Sequence, residues 1–187
     1  TATSWSVTAT ATVTVAQVAT SGSLSESTLA FASLADTTQL TATVTDANGA
    51  TISGATVTWA TSDAAVATVS STGLVTSVAL GTATVTATSG PTSATVSVTV
   101  AQVAETLSLS DSTLTFSSLS VTTQLTATVT DANGETVGGA TVTWTTSDAA
   151  VATVSSAGLV TSVADGTATI TATSGSLTAT ATVTVAQ

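Results

Sequence analysis

Residues 59–87 read WATSDAAVATVSSTGLVTSVALGTATVTA, and residues 144–172 read WTTSDAAVATVSSAGLVTSVADGTATITA. The tryptophans that open the two stretches are 85 residues apart, and the same step relates Gln17, Gln102 and Gln187, each of which closes a T-V-A-Q segment. The chain is therefore a repeat of period 85, with two full units at 18–102 and 103–187. Residues 1–17 (TATSWSVTATATVTVAQ) match 86–102 and 171–187, as the terminal strand of a preceding repeat would. A unit of this length holds one modest core, so two small domains are expected rather than one large one.

Working outward from the repeat, apolar and hydroxyl residues alternate. In TATATVTV (8–15), QLTATVT (39–45), ATVTW (55–59), GTATVTAT (81–88) and SATVSVTV (93–100) one parity is largely Ala, Val or Leu and the other Thr or Ser. That is the period of a strand with one buried and one wet face. Threonine suits the wet face because its branched β-carbon fits a pleated surface while its hydroxyl meets water. Turn signals separate the runs: Asp46-Ala-Asn-Gly49, Ser53-Gly54, Ser62-Asp63, Ser71-Thr-Gly73, Leu80-Gly81 and Ser89-Gly-Pro91. The pattern predicts an all-β sandwich of about seven strands per unit. In the first unit the strands are expected over 20–24, 28–33, 38–46, 54–61, 65–69, 73–79, 81–89 and 93–101.

Inward parity gives a core of Leu29, Phe31, Leu40, Ala42, Val44, Val57, Trp59, Val66, Val69, Leu74, Val78, Val85, Val96 and Val98. Trp59, and Trp144 in the second unit, supply its one large ring; Phe31 and Phe116 supply its other aromatic. The join at Val98-Thr-Val-Ala-Gln-Val-Ala104 has no glycine, proline or charge run, so it does not read as a flexible linker.

Lys, Arg, His, Cys, Met and Tyr are absent, and ten acids leave a formal charge of −10. Nucleic acids and anionic bilayers are bound through Lys and Arg, so neither is an expected partner. Direct membrane insertion is not expected either, because Thr or Ser interrupts every apolar run well short of the ~18 residues a span needs. Without His, Cys or Lys no hydroxyl has a conventional activating base, and the chain is read as non-enzymatic with no catalytic residue. The acids fall mostly at turns and strand ends, where Asp also serves the local backbone.

Two places carry candidate sites. Asp131, Asn133 and Glu135 bracket a glycine in Asp131-Ala-Asn-Gly-Glu135; this is first a hairpin turn and second a candidate oxygen site for a hard cation such as Ca2+. No other cofactor is expected. The strand of residues 1–17, with Trp5, Val7, Ala9, Ala11, Val13 and Val15 on one parity, is a candidate assembly interface that adds to a neighbour's sheet. Like subunits or neighbouring repeats of the same chain are then the expected partners.

These residues resemble the bacterial Ig-like group 2 domain. The resemblance is carried by Trp59, Thr61, Ser62, Asp63, Val66, Ala67 and Val69, then Gly73-Leu-Val-Thr76, then Gly81, Thr82, Ala83, Val85 and Ala87. The second unit repeats it from Trp144 to Ala172. The resemblance implies tandem immunoglobulin-like β-sandwiches on secreted or surface proteins of bacteria and some phages, often as an adhesin stalk, with no catalytic residues. The lack of basic residues departs from the usual composition of that family. Two roles are compatible with it: a structural stalk, surface scaffold or filament outside the bacterial cell, or an adhesin module that recognises a host, matrix or glycan ligand. With no basic side chain present, stability is expected to hold or rise from pH 7 to pH 3 as charge repulsion falls.

Overall fold

A computed structural model describes Thr12 and residues 16–187. Trp5, Val7, Ala9, Ala11, Val13 and Val15, on the candidate assembly strand, lie outside the described residues. Among the described residues there is no helix, and each unit holds nine strands. In the first unit these are β1 (Ser21–Leu24), β2 (Thr28–Phe31), β3 (Thr37–Gln39), β4 (Ala42–Thr45), β5 (Thr58–Thr61), β6 (Ala67–Val69), β7 (Leu74–Ser77), β8 (Gly81–Ser89) and β9 (Thr92–Val100). The second unit repeats them as β10 (Thr106–Leu109), β11 (Thr113–Phe116), β12 (Thr122–Gln124), β13 (Ala127–Thr130), β14 (Thr143–Thr146), β15 (Ala152–Val154), β16 (Leu159–Ser162), β17 (Gly166–Ser174) and β18 (Leu177–Val185).

The long hairpin β8–β9 is the spine of the first unit. It pairs antiparallel from Gly81 opposite Val100 to Ser89 opposite Thr92, and β5 flanks β8 while β2 flanks β9 in parallel. The order β2-β9-β8-β5 makes one layer, and β3-β7-β6 with the separate pair β1-β4 makes the facing one. Their inner faces meet on Leu29, Phe31, Leu40, Ala67, Val75, Val85, Val96 and Val98, all buried. The second unit has the same orders and registers, with Ile170 in place of Val85.

Two expectations are corrected. The single strand over 38–46 is two strands in different sheets: β3 pairs with β7, β4 with β1, and the chain changes layer at Leu40-Thr41. The changeover is held by Leu40 N–H donating to Gly73 O at 2.9 Å and by Ser25 N–H donating to Thr41 O at 2.9 Å. Alternation runs unbroken through this point because Leu40 remains inward, 1 % exposed, while the hydrogen-bonding partner changes.

The parity of β7 is also the reverse of that expected. Val75 is fully buried, and Leu74 and Val78 are exposed at 38 % and 43 %. The inward partner of Val75 is Ser77, whose hydroxyl accepts Asp36 N–H at 3.0 Å and donates to Ser33 O at 2.8 Å. A buried serine with both functions satisfied carries little penalty, so an inward polar residue displaces the more apolar parity. Phe31 and Phe116 sit deep in their cores, whereas Trp59 and Trp144 are half-buried at the rim, each on the outermost strand of its four-stranded sheet.

Candidate functional site at the joint between the units

The segment between β9 and β10 is extended and handed from one unit to the next. Ala101 N–H donates to Phe31 O at 3.0 Å and Val103 N–H to Ala32 O at 2.8 Å, both in the first unit; Glu105 N–H then donates to Thr130 O at 2.8 Å in the second. Backbone bonds on both sides leave the linker no free length.

Asp131 stands beside this linker, at the start of the turn after β13. Its Oδ1 accepts the N–H groups of Asn133 and Glu135, each at 3.0 Å, which closes the Asp-Ala-Asn-Gly turn in the ordinary way. Oδ2 faces the first unit, where it accepts Gln102 Nε2 at 2.9 Å and Leu34 N–H at 3.0 Å. Asn133 Nδ2 donates to Leu34 O at 2.9 Å, so the second unit grips both polar groups of one residue of the first. Asp131 is only 2 % exposed. The side-chain hydrogen bond from Gln102 is the largest influence holding its carboxyl below the ordinary aspartate range; burial opposes this, and the N–H groups of Leu34, Glu135 and Asn133 add to it. Four N–H donors stand in for the water a buried carboxylate loses, and no cation is needed to hold it ionised.

The gripped residue belongs to the loop from β2 to β3. Ala35 in that loop is left-handed at φ 58°, and the Ser77 hydroxyl ties Ser33 to Asp36 across it. The joint is thus a pre-formed plug, Ser33-Leu34-Ala35, in a pre-formed socket, Asp131 to Asn133.

Asp131, Asn133 and Glu135 therefore share one turn, but two of the three are engaged with the neighbouring unit. Any cation at Asp131 competes with four N–H donors for two oxygens, and Glu135 is exposed. Among the described residues no three or more His, Cys, Asp or Glu side chains gather as a metal would need. Gln102 and Leu34 were missed by sequence reasoning. The signal available was that the Gln before each unit and an Asp within it recur 29 residues apart, as Gln17–Asp46 and Gln102–Asp131, and both pairs are hydrogen-bonded.

The profile of the family described as bacterial Ig-like domain (group 2) matches residues 19–100 and 108–185. The chain belongs to the bacterial Ig-like domain group 2 family. Its group 2 units are the two sandwiches, and the matched segments take in every described strand except the start of β10. No curated protein matches. Among solved structures, the chain is similar to the S-layer protein SbsC. It is 27 % identical to SbsC domains 4 and 5, with 80 % of this chain and 82 % of that one covered and a TM-score of 0.45. Against SbsC domains 1–6 the identity is again 27 % and the TM-score 0.45, with 79 % of this chain covered. This group 2 chain spans 23 % of the length of that structure. FdeC, an Escherichia coli adhesin, is 21 % identical over 92 % of this chain and 66 % of its own, with a TM-score of 0.43.

Proposed function

We propose that the chain is a non-enzymatic structural segment of an extracellular or cell-surface bacterial protein, a rod of tandem Ig-like units that serves as stalk, scaffold or filament element. The observation that supports it best is the joint: a buried carboxylate spends its second oxygen on fixing one unit against the next. A hinge between independent binding heads has no use for that investment, whereas a spacer that must transmit position does. The lack of His, Cys, Lys and Arg agrees with a role that needs no acid–base or nucleophilic group.

Small-angle scattering and negative-stain electron microscopy test this reading directly. The wild-type chain is expected to give one narrow distribution of angles between its units, and Asp131→Ala a broad one. Broad angles in the wild type would overturn it. Saturable capture of the chain by an arrayed glycan or matrix protein would replace the structural role with an adhesin module.

A further inference from the structure

The chain has two asparagines, Asn48 and Asn133, and glycine follows each. In an Asn-Gly pair the glycine nitrogen attacks the asparagine side-chain amide with unusual ease, because glycine has no Cβ to hinder the approach. Asn133 is exposed, and Gly134, at φ +82°, stands in open space where an added Cβ would touch nothing. Water and hydroxide therefore reach the pair.

Three hydrogen bonds hold it in the unreacted form. Asn133 N–H donates to Asp131 Oδ1 and Gly134 N–H to Asp131 O, each at 3.0 Å and both within the turn. The third crosses the joint: Asn133 Nδ2, the nitrogen that such a reaction expels, donates to Leu34 O at 2.9 Å. The turn of the first unit has the same two local bonds, from Asn48 N–H to Asp46 Oδ1 at 2.9 Å and from Gly49 N–H to Asp46 O at 3.0 Å. At Asn133 the bond to Leu34 is the one that depends on the docking of the two units.

We propose that Asn133-Gly134 is a spontaneous modification site gated by the joint: docking slows the loss of ammonia from Asn133, and that loss keeps an opened joint from closing again. The inference rests on the reading of the chain as a rod whose units are fixed against each other. Gly134 N gives its proton to a solvent base and forms a bond to Asn133 Cγ. The Cγ–Nδ2 bond breaks, Nδ2 takes a proton from water and leaves as ammonia, and a cyclic succinimide remains. Water then breaks one of the two ring C–N bonds, giving aspartate when the bond to Cγ opens and isoaspartate when the bond to the main-chain carbonyl carbon opens. The sum is one water consumed and one ammonia released, with no oxidant, reductant or cofactor. To swing toward Gly134 the amide must leave Leu34 O, so the rate follows the fraction of time the joint is open. Either product puts a carboxylate where a donor faced Leu34 O, beside the carboxylate of Asp131, so a hydrogen bond is lost and a like charge is added. Isoaspartate also lengthens the main chain inside the turn that supplies the two N–H groups on Asp131 Oδ1.

Peptide mass spectrometry of the full chain reads the two sites separately, since a Glu-specific protease cutting after Glu26, Glu105 and Glu135 leaves Asn48 and Asn133 in different peptides. On incubation at mildly alkaline pH, Asn133 of the wild type is expected to react more slowly than in the urea-unfolded chain. Ser77→Ala, which frees the loop that carries Leu34, should speed it by roughly fivefold, the factor set by the free energy of about one hydrogen bond. Asn48 in the same sample should keep its wild-type rate, and Ser162→Ala should leave both sites unchanged. An unaltered rate at Asn133 in Ser77→Ala overturns the gate, as does a matching rise at Asn48, which would mark unfolding of the first unit as the cause. Asn133→Asp, altered at an exposed site, supplies one product directly. Its sandwiches should melt as in the wild type while scattering shows a broadened angle between the units. A distribution as narrow as that of the wild type would sink the modification and leave the rod reading standing, whereas broad angles in the wild type itself would sink the rod reading first.

Discussion

Gly73 has φ +87°, and a Cβ added there would stand 2.7 Å from both Leu40 O and Trp59 Cζ2. One missing side chain thus serves the layer change at Leu40 and the seat of the tryptophan ring. Gly73→Ala meets backbone on one side and an aromatic edge on the other, in a conformation unfavourable to L-residues, so a loss of about 2–4 kcal/mol is expected in denaturant titration. Trp59→Ala removes the other partner. Because the ring is half-buried, its loss should fall near the lower end of the range for aromatic truncations, about 3 kcal/mol. Gly158 and Trp144 repeat the arrangement, with added-Cβ distances of 2.5 Å to Leu125 O and 2.9 Å to Trp144 Cζ2, and the same substitutions there should behave alike. That these positions matter was legible, since Trp and Gly-Leu-Val-Thr return together at the period of 85. The contact between them was not legible, because a glycine's partner is set by tertiary approach and leaves no mark in the alternation.

Among the elements, β7 and β16 show how a hydroxyl inside a sandwich can shape its outside. Ser77 and Ser162 are 2 % and 1 % exposed, and each ties the loop that follows β2 or β11. Either serine changed to alanine leaves a part-buried loop N–H and C=O without their partner, for an expected loss of about 1–2 kcal/mol by thermal or chemical melting. The two should differ in a second readout. Ser77→Ala frees the loop that carries Leu34 and should widen the angle distribution between the units in scattering, whereas Ser162→Ala, at the far end, should leave it unchanged. The strict Ala/Val–Thr alternation made the β8–β9 and β17–β18 hairpins readable almost to the residue. The same alternation hid the break at Leu40-Thr41, since a strand can switch sheets without altering which residues face in. It also misplaced β7, where Leu74 and Val78 outweighed Val75 and Ser77 in apolar content while hydrogen bonding decided the facing.

For the whole molecule, acid sets two effects against each other. Protonating the ten carboxylates relieves repulsion, which favours the compact state as the pH falls. Asp131 works in the opposite direction. Its folded-state carboxyl titrates below the ordinary aspartate value of 3.8, chiefly through Gln102, so its contribution is fully present above that value and is withdrawn as the pH drops through the depressed one. The melting temperature should therefore hold or rise from pH 7 to about pH 4, around the ordinary carboxylate range. Below it the joint should loosen while the sandwiches stay folded, and scattering at pH 2 should resemble that of Asp131→Ala at pH 7. An unchanged joint at pH 2 would refute the assigned role of Asp131. The expectation of uniform acid tolerance treated every acid as a surface charge, because a turn motif accounts for one oxygen of Asp131 and gives no sign of what the second one holds. The parallel pairing of β2 with β9 bears on mechanics. Tension along the chain draws β2 toward the amino end and β9 toward the carboxyl end, so the ladder from Thr28–Ser97 to Phe31–Val100 is loaded in shear, all its bonds sharing the force at once rather than opening one by one. Each unit should give way in single-molecule stretching as one abrupt event.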